Sequence, residues 1–348
     1  MDRRTIKDVA RAAGVHPATA SRALNPRLPG RISAETTERV VRAATELGYV
    51  VDPVGRSLRT RRSATIGVLV PDLLNPFYPP VLRGVERGLR SRGFEALIAS
   101  TDNDVRREAG LLDVLRARRC DGYLIATATR DDATVAELVR TGVPVVLVNR
   151  LADTETPSVR SDDARGIEDA VRHLRELGHT RIAHIAGPAD ISVSAMREEA
   201  FRAEAGADAV VVRAEQFTAA AGEAAGSELL RDRTITAILA GNDMIAVGCY
   251  AALDRLGLRC PRDVSLVGIN DMPLAEWLRP ALTTVVLPAE EMGTEAARLI
   301  VERIDDPATP VRGVVLPTRL IVRGSTGPVP PHATPSPEAR VDHGISAG

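Results

Sequence analysis

The polar residues that could do chemistry in this chain come in short clusters, and most follow an apolar run. Asp72 and Asn75 come with Phe77 and Tyr78 after TIGVLV, Thr127 follows GYLIA, and Asn149-Arg150 follows PVVLV. Further on, Asn242-Asp243 and Asn270-Asp271 close AILAG and SLVGI, while Arg197 and Phe217 stand near the starts of helical stretches. Guanidinium forks, carboxylates and carboxamides grip neighbouring hydroxyls two at a time, and an aromatic ring covers the apolar face of a polyol. The chain has only nine aromatic residues, so Phe77, Tyr78, Phe217 and Trp277 are the rings such a site would draw on. Core packing is the competing role for each of them.

Nothing in the sequence supports catalysis. GxSxG, HExxH, a P-loop and GxGxxG are all absent. His332 and His343 fall in a loose tail, and His173, His179 and His184 surround a helix-to-strand junction, where a structural role is expected. Cys120, Cys249 and Cys260 are odd in number and lack a CxxC pair, which argues against disulfides and zinc. No cofactor or metal is expected. No apolar run approaches the ~18 residues of a membrane span, and MDRRTIKDVARAAG lacks the apolar stretch of a secretory signal, so a cytoplasmic protein without membrane association is expected.

The elements that must carry these residues are an alternation. Strand-like runs at 65–70, 95–100, 121–126, 144–148, 181–186, 209–213, 236–240 and 264–269 are separated mostly by helical stretches at 77–92, 105–118, 131–141, 163–177, 217–231 and 243–257. Runs such as TIGVLV are apolar throughout, as strands covered on both faces are. Eight such strands predict parallel, doubly wound sheets divided into two Rossmann-like halves, with ligands bound at the carboxyl ends of the strands. Residues 327–348 are rich in Pro, Ala and Ser and are expected to be a disordered tail.

The first 50 residues differ from the rest. TIKDVARA opens with Thr5 and Asp8 in capping-box spacing, Gly14-Val15 makes a turn, Pro17 sits at the first position of a second helix, and a third runs over 33–47. Three short helices with a glycine turn between the first two describe a helix-turn-helix unit. Residues 1–62 carry 13 Lys and Arg against 6 Asp and Glu, whereas the remainder carries 32 against 40. A basic head on an acidic body suits docking onto a polyanion. The second helix presents small residues at Pro17, Ala18 and Ala20 beside polar Thr19, Ser21 and Arg22; small side chains let a helix seat deeply in the major groove, and arginine reads guanine best.

Between head and body lies VDPVGRSLRTRR, residues 51–62. Pro53 suits a helix start, Gly55 loosens it, and Val54, Leu58 and the arginines have amphipathic spacing. A helix below ~12 residues is marginal in water, so this segment would fold only with outside support, such as a second copy and DNA. It is predicted to be both linker and helix.

The chain resembles the LacI–GalR family of bacterial transcriptional regulators. TIKDVARAAGVHPATASRALN carries the likeness, which continues through ISAETTERVVRAATELGYVVDPVGRSLRT, TIGVLVPDLLNPFYPPVLRGVERG, HLRELGHTRIAHIAGP, AILAGNDMIAVG and PRDVSLVGINDMPLAEWLRPALTTV, over residues 4–326 in order. The resemblance implies a helix-turn-helix head at 1–50, a hinge at 51–63, and a core at 64–326 like periplasmic sugar-binding proteins, with one subdomain near 64–161 and 290–318 and the other near 162–289 and 319–326. It implies that Pro17, Ala18 and Arg22 face base edges, that Thr5, Thr19 and Ser21 reach phosphates, that Leu58 wedges the minor groove, and that Arg56 and Arg59 neutralise phosphates. His16 stands where the family usually has a serine N-cap; it would contact phosphate but cap weakly. Asn149, Arg197, Asn242 and Asn270 match effector-contact positions, with Asp162 a weaker match. Asn270 replaces the aspartate of the family's GxDD, Leu287 replaces a customary glutamine, and the segment between Phe201 and Phe217 is shortened, which unsettles the placement of Arg197.

The implied function is a homodimeric, sequence-specific repressor of carbohydrate-utilisation genes, released from a palindromic operator by a sugar-like effector. A corepressor-dependent regulator that takes a purine, a nucleoside or a protein partner is the alternative. A solute-binding protein would share the core but not the basic head.

Overall fold

The chain crosses between two parallel sheets three times, and those crossings create the cleft. The computed structural model describes residues 4–24, 32–49, 62–206 and 209–330. Its first sheet holds β1 (Thr65–Val70), β2 (Glu95–Ser100), β3 (Gly122–Ile125), β4 (Val145–Val148), β5 (Ser158–Ser161) and β11 (Gly313–Leu316), ordered β11-β5-β4-β3-β1-β2. The second holds β6 (Ile182–Ala186), β7 (Val210–Arg213), β8 (Ala237–Ala240), β9 (Ser265–Asn270), β10 (Thr283–Val286) and β12 (Arg319–Ile321), ordered β12-β10-β9-β8-β6-β7. Among the described strands only β12 is antiparallel to its neighbour, β10. Both sheets reverse strand order beside their first strand, the switch point where a crevice opens.

All eight expected strands form. The four others, β5, β10, β11 and β12, are short, and β5 reads SVRS, which carries no apolar signal. Helices α4 (Tyr78–Arg90), α5 (Val105–Ala117), α6 (Ala133–Arg140) and α11 (Ala289–Asp305) belong to the first half; α7 (Asp163–Glu176), α8 (Ser192–Ala205), α9 (Ala219–Leu229) and α10 (Asp243–Arg255) belong to the second. Continuous apolar strands such as β3, β4 and β8 are buried at every position, as sandwiching between helix layers requires. Helix α11 brings the chain back against α4 so closely that a Cβ on Gly84 or Gly293 would overlap the partner's backbone. Helix α8 ends at Gly206, whose φ of 77° is a positive value that glycine adopts readily.

The head comprises α1 (Ile6–Ala12), α2 (Pro17–Ala23) and α3 (Ala34–Glu46) around a small core of Val9, Ala10, Ala13, Ala20, Val40, Ala43 and Ala44. Gly14 makes its turn at φ 64°.

Two expected boundaries move. Arg62 and Ser63, assigned to the hinge, are tied to the core: Arg62 donates to Asp305 at 2.6 Å and to the Ile304 carbonyl, and Ser63 donates to Asp121. Residues 327–330, assigned to the tail, are also anchored. The Gly327 N–H donates to Ser265 Oγ at 3.0 Å, and the Val329 N–H donates to the Leu177 carbonyl at 2.9 Å. The hinge residues Arg56, Leu58 and Arg59 and the tail histidines lie outside the described residues.

Candidate functional site: a reading helix and a two-chambered cleft

At the head, the Thr5 N–H and hydroxyl both donate to Asp8, at 2.9 and 2.8 Å, and these bonds hold that carboxyl below its ordinary range. His16 does cap α2: its Nδ1 accepts the Ala18 N–H at 3.2 Å from an extended backbone. The imidazole therefore replaces a serine hydroxyl, provided that Nδ1 keeps its lone pair. Ala18 and Arg22, four residues apart, are exposed on one face of α2, with Pro17, Thr19 and Ser21 half-buried beside them. Ala20 belongs instead to the head's core, fully buried, which leaves Pro17 and Ala18 as the small residues on the accessible side of α2.

In the core, the strand ends converge on a cleft. The first half supplies Asp72, Asn75, Phe77, Tyr78 and Asn149, and the second supplies Arg197, Phe217, Asn242 and Asn270. The halves also touch nearby, where the Leu151 N–H donates to Ser192 Oγ at 2.7 Å.

The asparagines divide their amides between structure and cleft. Asn242 Oδ1 caps α10 by accepting the Ile245 N–H at 2.8 Å, and Asn75 Oδ1 accepts the Phe77 N–H at 3.1 Å. Each spends its oxygen locally and retains an NH₂ at the cleft. Asn149 is the converse, with Oδ1 buried and unpartnered. It sits at φ 66°, a left-handed value that asparagine tolerates better than most residues, and Asn270 at φ 124°, a positive value outside that region. Asn270 is held from behind: buried Asp243 accepts the Met272 N–H at 2.7 Å and the Thr284 hydroxyl at 2.6 Å. Burial pushes the Asp243 carboxyl up to about 6, against the pull of those two bonds.

Arg197 is 3% exposed and is fixed on two sides. Its Nε donates to Asp163 at 2.7 Å and its Nη1 to the Gly241 carbonyl at 2.7 Å. Phe77 meets Tyr78 edge-to-face with ring centroids 5.2 Å apart. Burial raises the Tyr78 hydroxyl above its usual range, opposed by Arg150 and Asn149.

Three expected residues lie elsewhere. Thr127 lines an adjoining chamber that shares Pro71, Asn103, Arg150 and Phe217 with the cleft. Asp162 is the N-cap of α7, its Oδ1 accepting the Arg165 N–H at 3.2 Å, and it lines neither chamber. Trp277 is 67% exposed on a short turn whose inward member is Ala275, so its ring points away from the cleft. Sequence reasoning missed Asn103, Val193 and Thr218 in the wall. Asn103, at the carboxyl end of β2, was within reach of the strand-end rule. Leu287 is 4% exposed and packs into the large hydrophobic core that both halves share. The three central histidines are bonded within the fold, His173 to Thr326, His179 to Thr236, Ser265 and Gly327, and His184 to the Leu239 carbonyl.

Residues 5–52 match the description "Bacterial regulatory proteins, lacI family", and residues 171–326 match "Periplasmic binding protein-like domain". A ribose operon repressor from Halalkalibacterium halodurans is 34% identical, covering 92% of this chain and 97% of its own. The chain belongs to the LacI family. Among solved structures, a complex of the transcriptional regulator CelR with cellobiose is 34% identical over 93% of this chain and all of that one, with a TM-score of 0.70. The Lac repressor dimer bound to operator and an anti-inducer is 25% identical over 94% of this chain and all of that one, with a TM-score of 0.79. This LacI-family chain is thus a DNA-binding transcriptional regulator with a helix-turn-helix head and an effector-binding core. Among the described residues no helix is long and apolar enough to cross a membrane.

Proposed function

We propose that this chain is a cytoplasmic, homodimeric repressor of carbohydrate-utilisation genes, without catalytic activity, that leaves a palindromic operator when a sugar-like effector fills the cleft. The observation that carries the reading is the cleft's composition. Amides and a guanidinium from both halves converge on one space beside Phe77 and Phe217, a combination suited to hydroxyls along an edge and an apolar face. Relatives named for ribose and a similar structure holding cellobiose support it.

An effector touching both halves favours one closure state by its differential affinity, and so sets the spacing of the two heads. The hinge at 51–61 then orders, or fails to order, between them. Arg22 and Ala18 read bases, Thr5, His16, Thr19 and Ser21 reach phosphates, and Leu58 enters the minor groove flanked by Arg56 and Arg59. Exposed Leu274 and Trp277, 60% and 67% accessible, support a paired surface on a second copy.

The test is fluorescence anisotropy on DNA flanking the gene. Binding should fall steeply and linearly in log–log salt, and a sugar should weaken it by at least about tenfold, or ~1.4 kcal/mol. Failure to bind duplexes at low salt, or indifference of bound complexes to every sugar, would overturn the reading.

A further inference from the structure

The chain enters the core through Arg62, Ser63 and Ala64, and neighbours pin these residues from three directions. Asp121, just before β3, accepts the Ser63 N–H at 2.8 Å and the Ser63 hydroxyl at 3.1 Å through Oδ1. Its Oδ2 accepts the Ala64 N–H at 2.8 Å. The Ala64 carbonyl accepts the Glu95 N–H at 2.9 Å. Arg62 donates to Asp305 at 2.6 Å and to the Ile304 carbonyl at 2.9 Å, at the end of α11.

Ala64 itself sits at φ 62°, in the left-handed region. Among the described residues it is the one apolar side chain at a positive φ; the other non-glycine residues there are Asp, Asn and Arg. A methyl group offers no local bond of the kind that helps Asp and Asn, and left-handed backbone is disfavoured for alanine by a factor of about five to thirty. The conformation is therefore imposed by what holds the peptide groups on either side, Asp121 at the N–H and Glu95 at the carbonyl. A return to negative φ would swing residues 62 and 63 away from Asp121 and α11. The Arg62–Asp305 pair has side chains 38% and 59% exposed, so its worth to folding is small. What such a contact fixes is direction.

The anchor shares its strands with the effector cleft. Thr65, Glu95 and Gly122 begin β1, β2 and β3, which pair side by side. The far ends of the same strands lead to Asn75, Asn103 and Thr127 in the walls of the two chambers. The six residues of β1 span roughly 20 Å between those ends. Helix α11 starts at Ala289, directly after β10 of the second half, and ends beside Arg62.

Resting on the reading of residues 51–61 as a hinge that orders on operator DNA, we propose that Asp121, acting on Ala64, and Asp305, acting on Arg62, are positioning residues that aim the chain from the core into the hinge and so set operator affinity. A simple charge effect has the opposite sign, because removing an acid from a DNA-binding protein strengthens its attraction to a polyanion.

Fluorescence anisotropy of the full chain at fixed salt tests this, on the palindromic duplex that wild type selects from randomised DNA and on a scrambled duplex of equal length. Asp121→Asn turns an acceptor oxygen into a donor facing an N–H, and should weaken the selected duplex by about tenfold while the scrambled one stays within about twofold. Asp305→Ala should weaken the selected duplex by about threefold, again without loss on the scrambled one. Ala64→Gly, added to Asp121→Asn, lets the backbone adopt the left-handed turn unaided and should restore at least about threefold of the lost affinity, a rescue that general damage to the core would not show. Equal losses on both duplexes, tighter binding by either single variant, or no rescue by Ala64→Gly would overturn the positioning role. A wild type that binds both duplexes alike would overturn the hinge reading itself.

Discussion

Removing Arg197 is the sharpest test of how the cleft is held together. Its guanidinium and the Asp163 carboxylate are 4% and 1% exposed, so the pair is dry, and the second Asp163 oxygen already lacks a partner. Arg197→Met keeps the aliphatic bulk but leaves Asp163 as an uncompensated buried charge, with the Gly241 carbonyl short of a donor. Breaking one side of such a pair costs about 3–5 kcal/mol. At about 2–4 °C per kcal/mol for a body of this size, the melting point of the core should fall by roughly 6–20 °C. The double variant Asp163→Asn/Arg197→Met removes the stranded charge and should recover roughly 2 kcal/mol or more of that loss. Urea melts of wild type, both single variants and the double, followed by circular dichroism, give the coupling energy. A single-variant loss below about 1 kcal/mol, or strict additivity across the cycle, would refute the claim that this ion pair anchors the site.

Other outcomes follow from packing, titration and the hinge. Gly248→Ala places a Cβ against the Ala219 carbonyl and the Glu223 nitrogen, where α9 and α10 meet, and should lower stability by about 1–3 kcal/mol in the same melts; a neutral result would mean that these helices separate readily. Burial pushes the Asp243 carboxyl up to about 6 from an ordinary value of 3.8, so its protonated form is the stabilising one. Its contribution is complete below pH 3.8 and is lost as pH rises through 6; between pH 5 and 7.5 the stability difference between wild type and Asp243→Asn should fall by about 1.4 kcal/mol. A pH-independent difference would show that Asp243 is not desolvated. Leu58→Ala should weaken operator binding by about tenfold or more while leaving non-specific binding nearly unchanged at matched salt; equal losses on both would remove the wedge role.

Much of the site was legible because its signals are local. Asn75, Asn149, Asn242 and Asn270 stand where strands end, and asparagine suits those positions both as a cap and at positive φ. The same rule led to Asp72, Phe77 and Tyr78. Thr5, His16 and Pro17 could be placed because helix starts leave N–H groups that only a few residue types satisfy.

Other features depend on residues far apart in sequence. Asp162 and Asp163 are adjacent acids at one helix start, and only packing decides that the first caps α7 while the second is buried under Arg197. Glu108 lies in VRREAGLLDV, where its charge looks like one of several solvated ones; it is the strand order that brings α5 over Thr127 and Arg150 and buries it. The outward turn of Trp277, the anchoring of Gly327 by His179, and the residues shared by the two chambers have the same origin. By itself the sequence determined the repeating elements, their ends and the basic head, since periodicity, capping and backbone preference act within a few residues. Tertiary structure alone decided which polar groups share a dry space, because that depends on how two sheets and three chain crossings bring distant strand ends together.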